Sequence, residues 1–98
     1  MDREWGVDDP GTKLAPLVSV ILTVFNRADL LNASAQSILS QTYKQLELII
    51  YDDASTEQSA RDMIDSLVKQ DRRVKAYRNK EKLGPFKTKN LAFKKAKG

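Results

Sequence analysis

Neither cysteine nor histidine occurs in the 98 residues. The first absence excludes disulfides, thiolate metal sites and a cysteine nucleophile. The second leaves only oxygen ligands for any metal, and only a carboxylate, a lysine or a tyrosine as a general base. No apolar run approaches the roughly 20 residues of a membrane-spanning helix. The opening stretch, Met1–Pro16, has neither the basic start nor the apolar middle of a secretory signal. The expected location is therefore cytoplasmic, or the inner face of a membrane for a longer parent protein.

What is present is ordinary in amount and uneven in placement. Hydrophobic residues make up 41% and charged residues 31%, a balance that suits one small globular domain, or part of one, and argues against disorder. Of the 17 basic residues, 12 lie between Lys69 and Gly98, where only Asp71 and Glu81 are acidic. A basic segment of this kind faces phosphates, nucleic acid or an anionic membrane, or is a solvated helix face. With no aromatic stacking platform interleaved, no specific nucleic-acid partner is expected.

The stretch Leu46–Thr56 (LELIIYDDAST) organises the rest. Apolar and aromatic residues run together from Leu48 to Tyr51, as in a strand covered on both faces, and Asp52 and Asp53 follow where that strand should end. In open parallel sheets ligands bind beyond such carboxyl ends. Ser55 and Gln58 have capping-box spacing and predict a helix start at once. Earlier, Leu17–Phe25 (LVSVILTVF) also reads as a strand buried on both faces, and it delivers Thr23, Phe25, Asn26 and Arg27 to the same crevice. Helical spacing then runs from Asp29 to about Gln41, with Asn26 or Asp29 available as a cap. Ala60, Met63, Ile64, Leu67 and Val68 form the clearest amphipathic pattern. Val74–Arg78 alternates like a short strand, Asn79–Pro85 is a turn-rich loop, and Phe86–Lys97 reads as a last helix. Met1–Pro16 has no periodicity and reads as a flexible leader ahead of a domain over 17–98.

The expected fold is α/β, β-α-β-α-β-α in three layers with a parallel sheet joined by right-handed crossovers. Three strands make half of a doubly wound sheet. A larger domain is therefore expected to continue past Gly98, and pairing of two copies through an exposed strand edge is a further expectation.

Taken together, VSVILTVFNRADLL, SILSQTY, LELIIYDDAST and TKNLAFKKAKG, in that order and spacing, resemble the amino-terminal part of the family 2 inverting glycosyltransferases, which have the Rossmann-like GT-A fold. The resemblance covers about Leu17–Gly98. It implies a hexosyltransferase-type enzyme that moves a sugar from a nucleoside diphosphate sugar to an acceptor glycan or lipid-linked sugar, with this part holding the nucleotide. By the same resemblance Thr23 and Phe25 line the base site, Asp53 hydrogen-bonds the base, Asp52 lies near the ribose, Lys89 meets the diphosphate and Asn90 fixes its loop. Arg27 is a further phosphate candidate. The chemistry suits these roles, since a carboxylate accepts from ring N–H groups or ribose hydroxyls and an aromatic ring offers a stacking face. Adjacent strand residues point to opposite faces, so only one of the two aspartates should face the pocket.

Three departures stand out: Phe25 replaces the usual tyrosine, Ala54 stands where glycine or asparagine is common, and Lys89 replaces an arginine, losing bidentate geometry. The resemblance also implies an Asp-x-Asp motif holding Mn²⁺ or Mg²⁺, and a catalytic carboxylate base, beyond Gly98. The 98 residues alone are thus expected to hold no metal and to be inactive. Two other readings remain open. A Rossmann-type dinucleotide-binding half would place an acid at the end of the second strand, but Asn-Arg-Ala-Asp after Phe25 offers no G-x-G-x-x-G. A non-catalytic basic module would bind nucleic acid or an anionic membrane surface with steep salt dependence.

Overall fold

In a computed structural model the described residues are 17–41, 43 and 45–97; the expected leader lies outside them. Six elements follow one another: β1 (Val18–Val24), α1 (Ala28–Leu39), β2 (Leu46–Asp52), α2 (Gln58–Gln70), β3 (Val74–Arg78) and α3 (Pro85–Lys95). The three strands form one parallel sheet in the order β1-β2-β3. The α/β architecture read from the sequence is the one observed.

Alternation along the strands sorts the core into two layers. Val20, Leu22, Val24, Leu48, Ile50 and Val74 point to the side covered by α1 and α2, where Leu31, Ala35, Ile64 and Leu67 meet them. Ile21, Ile49, Tyr51 and Tyr77 point to the other side, against Leu91, Ala92 and Ala96 of α3. Tyr51 and Tyr77 stack there with ring centroids 5.6 Å apart. Every residue of β2 is buried, as the sequence predicts for a central strand.

β1 differs from its expectation. Only Val24 is buried, and Val18 is 43% exposed. Its composition matches a central strand, but among the described residues it has a neighbour on one side only. The helices therefore cover it in part.

The helix caps differ as well. α2 begins at Gln58 with Glu57 as its N-cap, and no side chain bonds there. The expected capping box does not form, because Ser55 lies two residues before the N-cap, its Oγ accepts from the Asn26 backbone N–H, and the Gln58 amide donates to Asp62. The Ser55 hydroxyl proton goes to the buried Asp52 carboxylate, so both the donor and an acceptor position of this side chain are used at the strand ends. The N-cap of α1 is Arg27, again with no side-chain bond, so neither Asn26 nor Asp29 caps that helix.

At its far, amino-terminal end the sheet is closed by Glu47. This buried carboxylate accepts from the Ser19 hydroxyl and from the Lys97 backbone N–H, tying β1, β2 and the exit of α3 together.

Candidate functional site

All three strands reach their carboxyl ends at one level. Val24, Asp52 and Arg78 are cross-strand partners, and the ladder continues one step as Asp53 N–H donates to Val24 O and Asn79 N–H to Asp52 O. This rim is where the chain takes unusual backbone conformations. Among the described residues the non-glycine positions with positive φ are Asn26 (59°), Arg27 (61°) and Ala54 (60°), and all three lie on it. Such conformations strain ordinary side chains and concentrate at functional sites. The Ala54 value gives the departure noted in the sequence a physical cost, since glycine or asparagine is what a left-handed position favours.

Asp52 and Asp53 point to opposite faces, as strand alternation requires. On the α2 side the Asp52 carboxylate accepts from Ser55 N–H (2.9 Å) and Ser55 Oγ (2.6 Å), and Arg78 lies 3.6 Å away. Arg78 also donates to Ser55 O. Asn26 completes the latch from β1: its backbone N–H donates to Ser55 Oγ, and its Oδ1 accepts from Thr56 and Glu57 N–H. Asn26 thus ties two strand ends together and satisfies donors at the entrance to α2, in place of a side-chain cap.

On the α3 side Asp53 organises the loop that follows β3. Its Oδ1 accepts from Asn79 Nδ2 (3.0 Å) and Leu83 N–H (2.7 Å), and its Oδ2 from Gly84 N–H (2.9 Å). Asn79 donates also to Thr88 Oγ1 on α3. Burial pushes the Asp53 pKa up, but the Leu83, Asn79, Gly84 and Thr88 donors together outweigh it and hold the carboxyl below its ordinary range. Gly84 has φ 94°, which turns the chain into α3 while its N–H faces the carboxylate.

Thr23 and Phe25 are odd-numbered along β1, like Ile21, and so belong to the same side as Asp53 and α3. Both are exposed, and the Lys82 ammonium sits 3.6 Å from the centroid of the Phe25 ring. Thr23, Phe25, Asn26 and Arg27 also border a shallow depression of about 230 Å³ along the end of β1, with Leu30, Leu31 and Ser34 of α1. Arg27 is exposed there and pairs loosely with Asp29 at 3.6 Å. Lys89 and Asn90 are exposed on α3, in the turn after Pro85–Thr88.

The strand ends therefore bring Thr23, Phe25, Asp53 and the start of α3 to one side of the rim, and put Asp52 on the other. A second depression of about 210 Å³, between α2 and β3, is the one that Asp52 borders. The two neighbouring aspartates cannot converge on one metal ion, and among the described residues no group of three or more acidic side chains could hold one. Ser55, Arg78, Asn79, Thr88 and Lys82 were not legible as site residues. Asn79 and Thr88 carry one weak signal, a polar side chain at each end of a turn-rich loop.

A parallel three-stranded sheet with a rim of polar and strained residues at its carboxyl ends defines an open α/β class of fold, in which ligands usually bind beyond the strand ends. The family is then fixed by comparison. The model of glycosyl transferase family 2 matches residues 19–98, and the chain belongs to that family. It is 40% identical over 82 residues to the Escherichia coli protein UDP-Glc:alpha-D-GlcNAc-diphosphoundecaprenol beta-1,3-glucosyltransferase WfaP, covering 84% of this chain and 32% of that protein. It is 38% identical over 84 residues to the Campylobacter jejuni GalNAc(5)-diNAcBac-PP-undecaprenol beta-1,3-glucosyltransferase, covering 85% of this chain and 27% of that one. Among solved structures, the mannosyltransferase PcManGT from Pyrobaculum calidifontis, in complex with GDP-Man and Mn²⁺, superposes with a TM-score of 0.78 at 24% identity, over 88% of this chain and 26% of that one. The fold is accordingly that of the amino-terminal part of a GT-A glycosyltransferase. The chain spans about a third or less of the length of these relatives.

Proposed function

We propose that this chain is the nucleotide-holding part of an inverting glycosyltransferase whose complete form moves a sugar from a nucleoside diphosphate donor to an acceptor hydroxyl. The observation that supports this most directly is the shared side of Thr23, Phe25 and Asp53 at the strand ends, with α3 starting beside them. Phe25 offers the base a stacking face, and Thr23 offers a hydroxyl at its edge. Asp53 is the proposed acceptor for a base N–H, taken beside the bonds it already accepts from Asn79, Leu83 and Gly84. Lys89 and Arg27 are the cations proposed for the diphosphate, with Asn90 beside Lys89. Asp52, on the opposite side, acts through the latch with Ser55 and Asn26 and holds the rim in shape.

In the complete enzyme a divalent metal, Mn²⁺ or Mg²⁺, would neutralise the diphosphate leaving group, as the Mn²⁺ and GDP-Man of the archaeal neighbour suggest. The carboxylates described here do not form its site. An acceptor that is a glycan or a lipid-linked sugar is proposed from the undecaprenol-linked acceptors in the names of the two bacterial relatives. A cytoplasmic location, at a membrane's inner face, fits such an acceptor.

Isothermal titration with UDP and GDP tests the reading. Binding of at least one, weakened by Thr23→Val and by Asp53→Asn, is expected, with no sugar transfer by the chain alone. Failure to bind either nucleotide would overturn the assignment of the site, and turnover of a nucleotide sugar at enzyme-like rates would overturn the claim of inactivity.

A further inference from the structure

The loop between β3 and α3 carries a cation that none of the motifs singles out. Asp53 grips this loop at Asn79, Leu83 and Gly84, so Lys82 projects from a segment anchored on both sides. Its ammonium lies 3.6 Å from the centroid of the Phe25 ring, on a different strand end. Both residues are exposed. A cation over an exposed phenyl ring is held weakly, whereas an ammonium against a phosphate makes a charge-assisted hydrogen bond. The surroundings favour an anion: Lys80, Lys87 and Lys89 flank the same loop and helix start, Glu81 is the one acid there, and the first turn of α3 carries none.

Resting on the nucleotide reading above, we propose that Lys82 is a further binding residue of that site and sets its preference for a phosphorylated ligand. With no nucleotide its ammonium covers the Phe25 ring. When a base stacks on that ring, the ammonium turns from the ring to the diphosphate, while Asp53 keeps the loop's backbone in place. The exchange makes the ring available only to a ligand that carries its own anion. A nucleoside must displace the cation and gains nothing in return.

The test compares the diphosphates UDP and GDP with the nucleosides uridine and guanosine, by titration calorimetry on the chain and on its Lys82→Met variant. The variant should bind the diphosphate about tenfold more weakly and the matching nucleoside as well as before or better, collapsing the ratio of the two affinities. Lys69→Met, an exposed cation in the last turn of α2, should leave both unchanged. Equal weakening of diphosphate and nucleoside would mean that Lys82 only props the loop, and no weakening of either would mean that it is a bystander; each result overturns the proposal. Nucleotide binding that survives in Lys82→Met undiminished leaves the reading of the site intact, whereas absence of any diphosphate binding by the unmodified chain removes both.

Discussion

Two adjacent carboxylates, Asp52 and Asp53, do different work on the two sides of one rim. The Asp52 side is a closed latch in which Ser55, Asn26 and Arg78 tie three strand ends to one another. The Asp53 side holds a loop, and beyond that loop lie exposed groups suited to a ligand: Thr23, Phe25, Lys82 and Lys89. Both carboxylates are almost fully buried, at 2% and 3% exposure. Burial therefore does not distinguish an acid that closes a latch from one beside the proposed site; the partners do.

Removing each acid in turn separates the two sides most sharply. Asp53→Ala leaves Asn79 and two backbone N–H groups without their acceptor, and should destabilise the chain by about 3 kcal/mol in urea unfolding, with loss of amide protection at Leu83 and Gly84. Asp52→Ala should cost about 2 kcal/mol, because Ser55 and the half-exposed Arg78 can turn to water. A larger loss for Asp52 than for Asp53 would reverse the roles assigned here. Asn26→Ala removes the acceptor for Thr56 and Glu57 N–H on the latch side only. It should cost about 1–2 kcal/mol and leave protection at Leu83 and Gly84 unchanged.

Acid gives a graded version of the same contrast. The Asp53 carboxyl is held below its ordinary range, so its stabilisation is complete above the unfolded value of 3.8 and fades as pH falls through the lower folded value. Protection in the loop of residues 79–84 should decline with it. Asp71 provides an internal reference outside the rim. Side-chain and backbone hydrogen bonds from Arg73 lower it to about 2, while Arg73 also donates to the Leu39 carbonyl at the end of α1. Its contribution, about 1 kcal/mol once solvent screening is included, should be present above pH 3.8 and vanish towards pH 2; Asp71→Asn should flatten that part of a stability profile. The smallest effect is a gain. Ala54→Gly relieves a left-handed alanine between the two acids and should raise stability by up to about 1 kcal/mol, less the extra freedom glycine has when unfolded.

Much of this was legible in the residues. β3 begins and ends where the alternation of Val74–Arg78 places it, and the helices lie within a few residues of their predicted spans, because hydrophobic period is a local property that survives into the fold. The separation of Asp52 and Asp53 to opposite faces follows from strand geometry alone. The capping box is not observed, since Ser55 has the right spacing to Gln58 but its Oγ accepts instead from the Asn26 N–H of another strand end. Lys82 carries no pattern at all; one lysine among many acquires meaning only when the loop is held by Asp53 and the ring of Phe25 arrives from another strand.

The order of strands and helices, the charge asymmetry and the family were determined by the sequence itself, because each rests on residues near one another along the chain or on motifs in a given order. Which strand is central, which polar groups pair across the rim and which cation meets which ring were decided only by the tertiary structure. Those outcomes depend on residues about thirty apart in the chain being brought within hydrogen-bonding distance, as Asn26 and Ser55 are at 2.8 Å, and no local pattern encodes such a meeting.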